Sequence, residues 1–210
     1  MQFSEAKQAL ARKLDIDYSD IANNDLFSDA DLGDFVQAGL NKAWDWKPWA
    51  FTEGDWKTVT TSDGYNDYPG DCEDESIDKL YIATYEYRKL LFPDYQKFLV
   101  DNPDATDRIW SEHNRFYFYN LNADTVGSEV WFRGKKRATV LSGTSDLLPF
   151  SPTSDNQENS GNRAIVTLAF AEALASEKLK NYEQAEAEEK KAHAMLNVVW
   201  EPIAVRRSQA

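Results

Sequence analysis

The residues best suited to moving a proton near neutral pH are the two histidines, His113 and His193, and neither keeps catalytic company. His193 falls among Lys and Glu on a helical stretch and reads as a solvated position. His113 precedes Asn114 in a turn. The single thiol is Cys72, set in Asp71-Cys72-Glu73-Asp74-Glu75, where the acids raise its pKa and suppress the nucleophilic thiolate. Oxygen donors crowd Asp63-Gly64-Tyr65-Asn66-Asp67 and again 71–75. A calcium loop of the helix–loop–helix type would also need a downstream glutamate at a fixed offset and flanking helices. Both requirements fail, so these acids read as turn formers. No HExxH, CxxC, GxSxG, phosphate-loop or GxGxxG pattern occurs, and no carboxylate pair is marked out for glycoside hydrolysis. The expectation is a protein that is not an enzyme and holds neither a cofactor nor a metal.

Aromatic side chains are the more conspicuous feature, with 7 Trp, 10 Tyr and 11 Phe in 210 residues. In an extended Phe116-Tyr117-Phe118-Tyr119, alternation sends Phe to one face and Tyr to the other. One face covers a core; the other is open to a protein contact or to stacking against sugars. Trp44, Trp46, Trp49 and Trp56 lie close together where helical patterning gives way to strand patterning. They read first as a hydrophobic cluster joining two subdomains, with a ligand platform as the alternative.

The elements that position these residues follow from periodicity. Phe3, Ala6, Leu10, Ala11 and Leu14 have helical spacing, and a polar stretch over 15–24 interrupts it. A second helix starts at Ser28, a good N-cap with Asp29 and Asp31 in the first turn. Its stripe is Leu32, Phe35, Val36, Gly39, Leu40, Ala43 and Trp44, and Lys47-Pro48 ends it. Strand patterning then covers 56–61, 80–85, 115–119 and 129–141, the last as a hairpin turning at Gly134-Lys135, with one short helix at 94–100. A Ser/Asn/Pro/Gly-rich connector precedes a stripe from Ile165 to Tyr182, broken at Lys180-Asn181. A further helix runs over 182–200, supported by a Glu186–Lys190 pair and stopped by Pro202. The fold class read from this is α+β, mainly helical. It comprises an antiparallel helix bundle from residues 1–48 and 161–201, a β-rich insertion over 49–150, a connector loop at 151–160 and a C-terminal tail at 202–210.

Charge excludes some partners. With 23 Lys+Arg against 36 Asp+Glu, the net charge is −13, which repels phosphate and anionic lipid alike. The amino terminus lacks the basic stretch and apolar run of a secretion signal, and no segment approaches the ~20 apolar residues of a membrane span. A chain folded in a cytoplasm, with no membrane partner, is expected.

Several of these segments together resemble a known family. A helix ends in Trp44-x-Trp46, an aromatic strand and Tyr68-Pro69-Gly70-Asp71 follow, and Leu147-Leu148-Pro149 precedes the connector. The chain closes on an Ala/Glu-rich helix pair, Ala169-Phe170-Ala171-Glu172-Ala173 through Ala185, Ala187, Ala192 and Leu196. Over nearly its whole length this order resembles the head–tail adaptor (head-completion, or connector) proteins of tailed bacteriophages. The resemblance implies a structural virion protein, assembled in the host cytoplasm. Such proteins close into a ring, commonly of twelve copies, beneath the portal protein and receive tail proteins on another surface. They have no catalytic residues. DNA would pass through the lumen without specific binding, and acidic residues lining that lumen would keep it from sticking. Portal docking would fall to 200–210, with Trp200, Arg206 and Arg207 as anchors. A tail-completion or tail-tube component and an aromatic-platform carbohydrate-binding module are the alternatives.

Overall fold

The structure is a computed structural model that describes residues 1–61, 64–102, 107–119, 127–150 and 156–208. The chain divides into two compact units, one formed by Met1–Trp49 with Ala138–Ala210, the other by Ala50–Arg137.

The first unit is helical. α1 (Phe3–Lys13) opens with a capping box in which the Gln2 N–H donates to Glu5 Oε2 at 2.7 Å. α2 (Asp29–Trp46) opens with a second box between Ser28 and Asp31, and buries Leu32, Val36, Gly39, Leu40, Ala43 and Trp44. α4 (Asn156–Ala175) lies against α2, α5 (Tyr182–Ser208) and α1. It is buried on nearly every side from Ala164 to Leu174, as a helix without a polar face must be. Its approach to α2 requires a glycine. A Cβ on Gly39 would stand 2.5 Å from the Ile165 carbonyl oxygen and 2.7 Å from the Ala169 nitrogen.

Residues 138–150, placed with the β-rich part on sequence grounds, belong to this helical unit. Their backbone is tied to the amino terminus: the Phe3 N–H donates to the Asp146 carbonyl at 2.8 Å and the Leu148 N–H to the Met1 carbonyl at 3.1 Å. Gln37 of α2 holds the same strap, accepting from the Leu141 N–H at 2.8 Å and donating to the Thr139 carbonyl at 3.1 Å. Of the expected connector, 151–155 lie outside the described residues, and from Asn156 onward the chain is helical. α4 stops at Ala175, and Lys180, not Asn181, takes the left-handed conformation (φ 51°). Asn181 instead caps α5, accepting from the Gln184 N–H at 3.3 Å. Pro202 does not end α5, whose backbone stays helical to Ser208.

The second unit is built on β1 (Glu53–Val59), β2 (Tyr65–Asn66), β3 (Lys79–Ile82), β4 (Tyr85–Lys89), β5 (Ile109–Glu112), β6 (Phe116–Phe118) and β7 (Glu129–Lys135). They form one sheet in the order β1-β7-β3-β4-β5-β6-β2. Neighbours are antiparallel except β4 and β5, which run parallel. A parallel pair needs a crossover, and α3 (Phe92–Asp101) lies within it. On the inner face Trp56, Phe132, Leu80 and Tyr87 stand in register across four strands, joined by Ile82, Trp110, Phe116, Phe118 and Val130 in a single core. The sheet is curled, and one side chain bridges its outermost strands. Asn66 of β2 donates to Thr58 Oγ1 at 3.1 Å and to the Val59 carbonyl at 2.9 Å in β1.

The mainly helical antiparallel bundle with a small antiparallel insertion is therefore corrected. Helix accounts for 46% and strand for 20%, and a seven-stranded mixed sheet, curled as a half-barrel, is the organising feature of the middle of the chain. Gly134 shows why the sequence misled. It sits inside β7 opposite Gly54, where a Cβ would come within 3.1 Å of Ser76 Oγ. The glycine marks close backbone approach, and not a hairpin turn.

Candidate functional site

Among the described residues, the ionisable groups of the sheet unit gather around Tyr68, whose hydroxyl faces Glu112 and the His113 carbonyl and accepts from the Glu75 N–H, while His193 lies in the helical unit. His113 is exposed, stacks on Phe92 with ring centroids 5.0 Å apart, and places Nδ1 3.3 Å from Glu75. Cys72 is fully buried, and burial pushes its thiol up to about 11, aided by the carboxylates of Glu112, Asp71 and Asp74. The flanking acids, expected to be the cause, contribute less than desolvation does. Among the described residues no three His, Cys, Asp or Glu side chains form a metal site, and Asp63 lies outside them.

Sequence reasoning missed Glu112. Its strand, Ile-Trp-Ser-Glu, is buried at all four positions, and only the continuous run of burial on both faces could have betrayed it. The carboxylate accepts from Lys89 Nζ, from the Ile77 N–H at 3.2 Å and from the Tyr68 hydroxyl at 3.2 Å. Lys89 also donates to the Ile77 carbonyl at 2.6 Å. Burial raises the Glu112 pKa, while Lys89, Ile77 and Tyr68 oppose the shift. The network clamps β4, β5 and residues 68–77 together, with Glu112 buried and Lys89 exposed at its edge.

The aromatic residues divide by unit. Phe116 and Phe118 enter the sheet core while Tyr117 stays half-buried outside it, as the alternation requires. Tyr117 continues a surface strip with Phe92 at 5.1 Å and Tyr65 at 6.1 Å, and the Arg115 guanidinium lies over Tyr65 at 4.2 Å. On the outer face of β3 and β7, Tyr81 and Trp131 are 5.1 Å apart. The four tryptophans divide between the two units. Trp56 stacks on Phe132 in the sheet unit, whereas Trp44, Trp46 and Trp49 serve the helical unit. Trp49 is fully buried and meets Phe150 and Trp200 edge-on at 5.0 and 5.4 Å.

α2 and α5 are joined by a polar seam. Lys42 reaches Glu172 at 2.6 Å and Glu189 at 3.1 Å. Burial works against its charge, but the two carboxylates outweigh burial and raise its pKa. One turn on, Trp46 stacks on His193 (3.8 Å between centroids, 8° between planes), and its Nε1 donates to Asn197 at 3.3 Å. His193, expected to be solvated, is thus half-buried, and burial lowers its pKa, with Glu189 opposing and Lys42 assisting.

Of the expected docking anchors, Trp200 is half-buried beside Trp49. Arg206 and Arg207 fall on the helical backbone of α5, and their side chains lie outside the described set. A feature that periodicity did not single out lies elsewhere on the same unit: a groove of about 240 Å³ lined by Ala9 and Lys13 of α1, Val166 and Arg163 of α4, and Met195 and Lys191 of α5. Its apolar floor and basic rim come from three helices, so no single sequence window contains it. No helix among the described residues is long and apolar enough to cross a membrane. No protein-family model matches the chain, and no curated protein matches it.

Proposed function

We propose that this chain is a structural assembly protein of a tailed bacteriophage, a head–tail adaptor that closes into a ring beneath the portal and offers the surface to which the tail attaches. One observation carries the reading. The two ends of the chain, Met1–Trp49 and Ala138–Ala210, form a single helical unit, and the middle, Ala50–Arg137, folds on its own core. A helical body built from both termini can anchor a ring while an independently cored sheet unit presents itself to another partner. The ionisable groups support it from the other side. Among the described residues the best-buried carboxylate, Glu112, is tied to Tyr68, Ile77 and Lys89, and the one thiol is fully buried, which raises its pKa.

In this reading the ring has about twelve copies, as in the proteins it resembles. The carboxy-terminal end of α5, with Trp200, Arg206 and Arg207, meets the portal, and DNA passes an acidic lumen without being bound. The protein acts in the virion, with tail proteins on its other face.

The test is to mix the full chain with the portal protein of the same phage and image the particles by electron microscopy. A ring docked coaxially on the portal supports the reading. A protein that ignores both portal and tail removes it. Reversing Arg206 and Arg207 to glutamate should abolish docking without changing the circular dichroism spectrum; unchanged docking would move the contact off this end of α5.

A further inference from the structure

We infer that the basic-rimmed groove of the helical unit receives the acidic segment at residues 20–27 of a second copy of this chain, with Leu26 entering the apolar floor. The inference rests on the self-assembly part of the reading above and needs no portal. The groove is unusual for a chain of net charge −13: three cations, Lys13, Arg163 and Lys191, surround Ala9, Val166 and Met195. Lys13 and Lys191 share one carboxylate, Glu188, at 3.7 and 3.4 Å. Arg163 is exposed and makes no ion pair among the described residues. Among the described residues the rim therefore holds more cations than carboxylates. Positive charge around an apolar floor selects an apolar side chain flanked by carboxylates.

The same chain supplies one. Residues 14–41 hold seven aspartates and no Lys, Arg or His. Part of that charge is used locally, Asp29 by Lys7 and Tyr18 and Asp31 by Ser28 and Lys178. Asp20 and Asp25 are exposed and make no ion pair among the described residues. Next to Asp25 stands Leu26, 36% exposed in a polar turn. The turn is already rigid: Asn24 Oδ1 accepts from the N–H groups of Leu26 and Phe27, both at 2.9 Å. Phe27 is buried edge-on to Phe35 at 5.3 Å. A preorganised turn loses little conformational entropy on docking. Groove and turn share no residue, so each copy offers both surfaces at once. That is a heterologous contact, the type that closes rings.

The experiment uses the full chain at about 0.15 M salt, where repulsion beyond ~8 Å is screened and the docked pairs are not. Oligomer size is read across a concentration series by sedimentation, and again on portal particles. The groove variant (Lys13→Glu, Arg163→Glu, Lys191→Glu) and the turn variant (Asp20→Lys, Asp25→Lys) change only exposed residues, so each should keep the wild-type circular dichroism spectrum. Each alone should associate more weakly by roughly a hundredfold. Mixed together they should assemble again, because every reversed groove then meets a reversed turn. Leu26→Ala should weaken association without changing its salt dependence. Single variants that assemble like wild type, a mixture that fails to recover, or a wild-type chain monomeric both alone and on the portal would overturn the proposal. A groove variant that still forms a normal ring on the portal removes this contact and leaves the adaptor reading intact. Groove-dependent self-association without portal docking does the reverse.

Discussion

Cys72 illustrates how far a residue can be read without its surroundings. Its acidic neighbours signal an unreactive thiol, but full burial is the larger cause that raises its pKa to about 11, with Glu112, Asp71 and Asp74 adding to it. At pH 8 the thiolate fraction is then on the order of one in a thousand. Aromatic disulfide reagents should label the native protein orders of magnitude more slowly than the urea-unfolded chain; labelling at the rate of a free cysteine would contradict the burial. Glu112 is the opposite case, a site residue with no local signature at all. Its charge is tolerated because donors arrive from Tyr68, Ile77 and Lys89, separated from it by 44, 35 and 23 positions. Glu112→Ala would leave the Ile77 N–H without its acceptor and the exposed Lys89 with the Ile77 carbonyl alone, and should cost about 2 kcal/mol in urea unfolding, with Glu112→Gln milder because it retains an acceptor oxygen. Equal, small effects from both variants would mean that the network contributes little.

Elements were legible where one local rule governs them. Ser28 and Asp31 announce the start of α2 because both halves of the capping box lie within four residues. Phe116 to Phe118 alternate because the strand period is two. What stayed hidden depends on distant partners. β5 carries no alternation since its whole length is buried, and β2 reads as a turn until Asn66 is seen bridging to β1. Gly39 was visible as one member of a stripe, but not as the point where α2 meets the α4 backbone. Elsewhere in a helix, Gly→Ala gains about 1 kcal/mol of propensity. Here the added methyl falls 2.5 Å from a carbonyl oxygen, so Gly39→Ala should instead lower stability by about 2 kcal/mol, read from the urea midpoint. The α2–α5 seam adds a pH dependence. Burial against Trp46 depresses the His193 pKa below its ordinary 6.5. Below that value the unfolded chain binds a proton that the folded chain refuses. Stability therefore falls as pH drops from about 6.5 to the lower folded-state value. His193→Phe keeps a ring on Trp46 and removes the titration, so its melting temperature should decline less than wild type between pH 7 and 5. Parallel declines would place the titrating group elsewhere.

At the scale of the whole molecule, the surplus of 36 acids over 23 bases sets two competing salt responses. Salt weakens ion pairs, but the exposed ones, such as Lys190–Glu186 and Lys57–Glu129, contribute only about 0–1 kcal/mol each. Salt also screens the repulsion among unpaired carboxylates, which acts over the full surface and favours the unfolded chain when unscreened. Both chain segments of the helical unit and the sheet unit carry more acids than bases, so no opposite-charged half offsets the surplus, and repulsion prevails. The melting temperature should therefore rise as NaCl goes from about 0.01 M, where screening extends ~30 Å, to about 1 M, where it extends ~3 Å. A fall across that range would show that the ion pairs outweigh the net charge. The same balance governs duplex DNA. Binding needs cations that displace counterions from phosphate, and among the described residues most Lys and Arg ammonium and guanidinium groups already face a carboxylate of the chain. The full chain should leave duplex DNA unshifted in gel electrophoresis even at low salt, where any electrostatic attraction is strongest. A salt-sensitive shift would place a cationic surface where an acidic passage is proposed, and the idea of a lumen through which DNA slides would fail with it.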